Sequence, residues 1–304
     1  MKQNPSCRVC GKRKVIYLCD TINNHSATRV IQNYKCLHCG SVFVGNEITS
    51  SELGVAYSTL NATVYYKEIK KENFRKFSTA KTFLEKSFKN KSIKLIDVGG
   101  GNGSFLQLLH DHNFNNLYIH EINDDGLEDC KHILRDSYFD DDYKSIPSNK
   151  FDVVTALDVL EHVISPSDFT KQLARILTPD GILYFHTPVV SRIDKIMHNL
   201  LRIPILKSLG VTWQRGRTSI FHLENYTPES LKEILLTAGF TDVTIWVKNE
   251  LSWPVSRYVR VYLIQKLGLP LFFTKLLTPF FYPLLKSSFL NSNKAIVTAI
   301  KKPH

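Results

Sequence analysis

Ile93-Lys-Leu-Ile-Asp97-Val-Gly99-Gly100-Gly101-Asn-Gly103-Ser-Phe-Leu106 is the stretch that decides the fold. Its opening residues are mostly apolar, and the run then stops at Asp97 and the alternate glycines Gly99, Gly101 and Gly103. Phe105, Leu106, Leu108 and Leu109 follow at helical spacing. This reads as a buried strand, a tight glycine turn and a helix, the opening unit of a doubly wound α/β sheet. Glycine suits the turn because the backbone takes φ > 0 there and lets a ligand approach closer than a Cβ would allow.

The spacing narrows the ligand. A dinucleotide fingerprint needs G-x-G-x-x-G, but counting from Gly99 and Gly101 puts Ser104 in the third place. No Lys-Ser/Thr pair follows, as a phosphate loop would require. What stands here is D-x-G-x-G-x-G. The next apolar strand, Asn116–His120, ends at Glu121, a carboxylate placed to accept hydrogen bonds from ribose hydroxyls. The pattern resembles class I S-adenosylmethionine-dependent methyltransferases; a structural turn on another α/β fold is the alternative.

Later segments extend the resemblance. Phe151–Leu157, FDVVTAL, has the pattern of a fully buried central strand, and it delivers Asp158-Val-Leu-Glu161-His162 to the carboxyl end of the sheet. Ser165-Pro166-Ser167-Asp168 is a helix start, and Pro179-Asp180-Gly181 turns into a fifth strand, Ile182–Thr187. Phe221-His222-Leu223-x-x-Tyr226-Thr227-Pro228 leads into a helix that Gly239 ends, and Thr241–Val247 alternates as a sixth strand. Phe151–His162 and Phe221–Leu231 resemble the methyltransferase branch that includes ubiquinone-biosynthesis O-methyltransferases and many sugar methyltransferases. The resemblance covers roughly Tyr34 to Val247.

The resemblance implies a seven-stranded Rossmann-like α/β sheet, with Lys294–Ile300 as an antiparallel strand seven between strands five and six. It implies S-adenosylmethionine as cofactor. Gly99, Gly101 and Gly103 would then cradle its methionine and ribose portion, with Asp97 orienting the loop by accepting backbone N–H bonds. Glu121 would hold the ribose diol, and one carboxylate of the Asp140-Asp141-Asp142 turn after a helix over Asp124–Leu134, Asp140 the first candidate, would reach the adenine, against the reading that such a turn is simply solvated. Leu157 and Asp158 would line the same pocket. If the acceptor is a hydroxyl it needs a base; His162 is the first candidate and His222 the second, each weighed equally against a structural role. Asp158, Glu161 and His162 also resemble a divalent-cation set proposed for the ubiquinone-type relatives, against the reading that D-x-x-E-H is a plain strand-to-helix turn. Gly100, where the family often has Cys, and His186, at a place usually acidic or small, depart from the pattern.

Cys7-Arg-Val-Cys10-Gly11 and Cys36-Leu-His-Cys39-Gly40 are two C-x-x-C-G knuckles. Four thiolates close a tetrahedral structural zinc site, and Val15–Tyr34 would be the hairpin of a zinc ribbon. A ribbon that has lost its metal, or a redox pair, is the alternative. Cys19 and Cys130 read as buried small apolar residues. The expected division is therefore a ribbon over 1–46 and a helical connector or lid over 47–92. The methyltransferase domain would occupy 93–304, with an insertion at 249–293. Tyr57, Tyr65 and Tyr66 in the connector would cover the cofactor, and its phenylalanines would cover the sheet.

The 304 residues are 43% hydrophobic and carry a net charge of +11. From Leu251 to His304 there are eight Lys/Arg and no Asp/Glu, leaving +3 for the rest. Met1–Pro5 has no apolar stretch behind it, so no secretory leader is expected. Reduced C-x-x-C pairs suit the cytoplasm. The longest uncharged run of the insertion, Leu276–Leu285, is broken by Pro279 and Pro283 and is too short to span a bilayer. Its basic and aromatic content fits either an anionic membrane surface or a helical subdomain packed on its own sheet or on a second subunit. The acceptor is expected to be a small molecule, a sugar, lipid-linked saccharide or quinone-like metabolite. RNA gripped by the ribbon is the alternative, and DNA is not expected.

Overall fold

Apolar continuity in the short strand β4 (Leu95–Val98), buried at every position, places it at the centre of a sheet. The computed structural model describes residues 5–22, 29–58, 76–122, 127, 130–139, 143, 145–251, 254–264 and 269–303, apart from the side chains of residues 56–58, 139 and 262. β5 (Leu117–Glu121) and β7 (Phe151–Leu157) flank β4 in parallel, with Leu95 facing both Leu117 and Val153. β6 (Leu134–Phe139) lies beside β5, and β8 (Leu177–Pro188) beside β7. With β10 (Phe240–Lys248) and β11 (Lys294–Lys301) the order is β10-β11-β8-β7-β4-β5-β6, a seven-stranded mixed sheet with one antiparallel strand. The strand order reverses between β4 and β7, so a crevice opens at their carboxyl ends.

Helices α3 (Ser104–His110) and α4 (Pro166–Ile176) make the parallel crossovers. Residues 76–87 are helical (α2). Ala80 and Leu84 of α2 are buried with Phe105, Leu106 and Leu109 of α3, and Phe77, Phe83 and Phe88 pack beside them, as the connector's phenylalanines are expected to do. Tyr65 and Tyr66 lie outside the described residues.

Two element boundaries differ from expectation. The described end of the proposed Asp124–Leu134 helix is a 3-10 turn, Lys131–Ile133, and Leu134 already pairs with Leu117 as strand. β8 begins at Leu177 rather than at Ile182. Leu177 pairs with Phe151, and Asp180 adopts φ 60°, so the Pro-Asp-Gly segment is a bulge within the strand.

The chain divides into two compact units. Tyr57–Thr187, Lys232–Ile245 and Ile296–His304 carry most of the seven-stranded sheet. Met1–Ala56, Pro188–Leu231 and Trp246–Ala295 form the other unit. In the latter, β1 (Val15–Ile22), β2 (Val30–Cys36) and β3 (Val42–Val44) make the antiparallel ribbon. A fourth strand, β9 (Glu224–Asn225), pairs with β3. β3 is buried at all three positions, and an edge so apolar needs the cover that β9 provides.

The same unit holds α1 (Ser50–Ser58), α5 (Arg192–Leu200) and α6 (Lys207–Arg215). Its last helices, α8 (Val255–Val259), continued by a π-helical turn at Arg260–Ile264, and α9 (Phe273–Lys286), make up the insertion. Val255, Val259, Ile264 and Leu285 are buried there with Ile193 of α5. α7 (Pro228–Thr237) ends at Gly239, whose φ of 95° is the expected left-handed cap.

Candidate cofactor site and cysteine cluster

β4 ends in a loop whose backbone only glycine tolerates. Gly99, Gly101 and Gly103 have φ of 68°, 57° and 71°, and the Gly99 and Gly100 amides both donate to the His120 carbonyl of β5. A Cβ on Gly99 would sit 2.7 Å from Val159 Cγ2, and one on Gly103 would collide with Cys130. Gly100, a departure from the family pattern, is equally constrained: a Cβ there would fall 2.7 Å from Ile119 Cδ1. At 99, 100 and 103 the loop is thus pressed so closely onto its neighbours that a Cβ has no room.

Glu121 ends β5 beside this loop. Its Oε2 accepts from the Gly101 amide at 2.7 Å and its Oε1 from the Ile122 amide at 2.8 Å. An ionised carboxylate has about four lone-pair sites, so two remain for hydroxyl donors. That arrangement fits a nucleoside ribose lying on the glycine turn.

Asp97 is wholly buried, and among the described residues its side chain accepts only from the Thr155 hydroxyl of β7, at 2.6 Å. The expectation that it receives loop amides is therefore corrected: the amides of Gly99 and Gly100 turn to the His120 carbonyl instead. Burial pushes its carboxyl up to about 7, against the Thr155 bond that lowers it, with the Glu121 charge adding to the rise. Thr155 itself is a polar residue within the apolar run Val153–Leu157, which is a sequence signal that could have marked it.

Leu157 packs against the apolar core, and Asp158 follows it in a left-handed conformation, φ 62°. Lys76 of α2 donates to Asp158 Oδ2 at 2.8 Å, an ion pair across 82 residues that no local pattern announces. Glu161 is buried and accepts from Thr187 at 3.0 Å. His162 closes the 3-10 turn Leu160–His162. Among the described residues, Asp158, Glu161 and His162 do not gather into a possible cation site, because the turn sends Glu161 inward while Asp158 meets Lys76. His186 is buried on β8 with Nε2 2.9 Å from the hydroxyl of Tyr184 on the same strand. His222 belongs to the other compact unit, where its amide is held by Ser219 Oγ. Asp140 lies outside the described residues.

The four knuckle cysteines converge. Their sulfurs lie within 4.8 Å of one another, with Cys7–Cys39 and Cys10–Cys36 each 3.6 Å apart, and none is in a disulfide. Tetrahedral zinc–thiolate geometry, with bonds of about 2.3 Å, implies sulfur separations of about 3.8 Å. Amides support the knuckles: Gly11 donates to the Cys7 carbonyl and Gly40 to the Cys36 carbonyl. Thr227 Oγ1 donates to the Cys39 carbonyl at 2.7 Å, and Ser41 meets Ser230, so the start of α7 is tied to the second knuckle. Cys19 and Cys130 are buried singly, as expected.

A methyltransferase-domain family model matches residues 69–245. A ubiquinone biosynthesis O-methyltransferase of Actinobacillus pleuropneumoniae serotype 7 is 27% identical over 106 residues, 31% of this chain and 45% of that protein. The chain thus spans less than half the length of this curated relative. Among solved structures, a candidate methyltransferase of Haloferax volcanii, in complex with a methyltransferase activator, superposes with a TM-score of 0.52 at 14% identity, over 80% of this chain and 96% of that one. A candidate sarcosine dimethylglycine methyltransferase from Galdieria sulphuraria gives 0.50 at 13% identity, over 77% and 88%. The fold is that of S-adenosylmethionine-dependent methyltransferases, and with more than half of its length matched the chain belongs to the methyltransferase-domain family.

Proposed function

We propose that this protein transfers a methyl group from S-adenosylmethionine to a small-molecule acceptor, a sugar, lipid-linked saccharide or quinone-like metabolite. The observation that carries this reading is the left-handed glycine turn with Glu121 fastened to it through the Gly101 amide. When bound, the cofactor supplies an electrophilic methyl on a charged sulfur. Gly99, Gly101 and Gly103 approach its amino-acid and ribose portion with backbone alone, and Glu121 accepts from the diol. Leu157 and Asp158 line the pocket at the end of β7, and Asp140 is the proposed partner of the adenine. The protein's main task is alignment of acceptor and methyl. His162 is the proposed base that takes the acceptor's proton, with His222 second.

Zinc bound by Cys7, Cys10, Cys36 and Cys39 is the structural part of the proposal. Supporting it, no disulfide competes for these thiols, and their spacing suits one tetrahedral ion. The reduced thiolates it needs are the reason to place the protein in the cytoplasm.

Calorimetric titration with S-adenosylhomocysteine tests cofactor recognition: micromolar binding is expected, and a folded protein that gives no heat overturns the reading. Incubation with methyl-labelled cofactor and a cell extract split into lipid, nucleotide-sugar and RNA fractions identifies the acceptor. Label in the RNA fraction, with binding that falls steeply as salt rises, would favour the second reading. In that case the exposed Lys12, Arg13 and Lys14 of the first knuckle become the substrate grip.

A further inference from the structure

Helix α9 is two-faced. Its inner face, Phe273, Leu277, Phe281, Leu284 and Leu285, packs onto α8 and the buried Ile193 of α5. Its outer face begins at Phe272, which is 64% exposed, and continues through Leu276 (55%) and Phe280 (73%). These stand four residues apart and so form one stripe along the helix. Pro279 and Pro283 lie exposed on the same side. A proline within a helix leaves a carbonyl without its amide partner. Such carbonyls are tolerated where water or polar headgroups can reach them.

Positive charge flanks the stripe along the helix. Lys275 and Lys286 are exposed toward its two ends. Beyond α9, exposed Phe289 carries the Arg192 guanidinium 3.9 Å above its ring, and Ile196, one turn further along α5, is exposed as well. No Asp or Glu occurs from Leu251 onward. The nearest acids in sequence are occupied: Asp194 is buried against Arg217, and Glu250 pairs with Lys248 at 2.7 Å.

We propose that the outer face of α9, with Phe289 and Arg192 beside it, docks this protein on an anionic lipid surface with the helix lying in the headgroup plane. At about 1.5 Å per residue, fourteen residues reach about 21 Å, short of the roughly 30 Å hydrocarbon core. Among the described residues no helix is long and apolar enough to cross a membrane. Large aromatics in the acyl boundary with lysines reaching to phosphate is the chemistry of an interfacial helix. A second copy of this chain is the poorer occupant. A two-fold contact through the stripe would bring Lys275, Lys286 and Arg192 against their own counterparts with no acid to pair them. This inference does not rest on methyl transfer.

The test is co-sedimentation of the full chain with phosphatidylcholine vesicles and with phosphatidylcholine–phosphatidylglycerol vesicles. Binding only to the latter, weakened by salt, is expected. Lys275→Ala should lower the partition coefficient about fivefold, the equivalent of one surface charge. Phe272→Glu with Phe280→Glu should lower it at least tenfold while leaving S-adenosylhomocysteine binding unchanged, since both side chains are exposed. Equal binding to both vesicle types would overturn the proposal, as would no binding at all. Concentration-dependent dimerisation that these substitutions abolish would give the face to a second copy.

Discussion

Asp97 is a buried carboxyl, and among the described residues its side-chain donor is a threonine. Because burial raises it to about 7, the folded protein holds a proton there that the unfolded chain releases near pH 4. The native state therefore binds more protons between those values. Its contribution to stability is fully present below about pH 4 and lost as pH rises through about 7. Denaturant unfolding across that range should show a decline of up to about 1.4 kcal/mol per pH unit, which Asp97→Asn should flatten. Gly100→Ala should cost about 1–3 kcal/mol by overpacking against Ile119. Combining it with Ile119→Ala should cost less than the two singles added, because the clash is gone. His162→Ala should cut turnover by about 10²–10⁴ and shift the pH–rate profile; an unchanged profile would remove His162 as the base.

At the scale of elements, what the sequence made legible was what local pattern encodes. β4, its glycine turn, β5 and β7 could be read because buried strands are apolar and positive φ demands glycine. The Glu121–Gly101 link is likewise short-range, twenty residues apart. Lys76–Asp158 was not readable, since an ion pair across 82 residues leaves no periodic trace. Nor was β9, whose two residues are too few to carry a strand pattern. The bulge in β8 was hidden because Pro-Asp-Gly is also the signature of a plain turn.

α5 illustrates the same division. Its start is a capping box, with Ser191 Oγ accepting from the Asp194 amide and Asp194 accepting from the Ser191 amide. Asp194 also binds Trp213 Nε1 at 2.6 Å and the Arg217 guanidinium, contacts that arise only once α6 has folded back. Ser191→Ala should therefore cost about 1 kcal/mol, as an ordinary cap does. Asp194→Ala should cost about 3–5 kcal/mol, because it leaves a largely buried guanidinium uncompensated. Chemical denaturation of the two variants separates the contributions.

Over the whole molecule, the cysteine cluster secures segments far apart in sequence. A linear reading divides the chain at residue 46, whereas Met1–Ala56 clusters with Pro188–Leu231 and Trp246–Ala295. Structural zinc contributes about 10–16 kcal/mol in small peptides, far more than a three-stranded ribbon supplies for itself. With the proposed zinc bound, treatment with a chelator should thus strip amide protection from β1–β3 and, through the Val42–Asn225 pairing, from β9. β4, β5 and β7 should keep theirs. Hydrogen exchange followed by mass spectrometry reads both, and protection at 224–225 that survives full removal of the metal would break the link.

The bond between Ser41 and Ser230 joins residues 189 positions apart. Ribosomes add roughly 5–20 residues each second, so the cysteines emerge roughly 10–40 s before the strand and helix cap that finish their surroundings. Through that interval the nascent chain carries four thiols in an incomplete lobe, open to oxidants and to competing metals. Prompt metal loading during synthesis would protect them, and starving growing cells of zinc should harm newly made protein more than protein already folded.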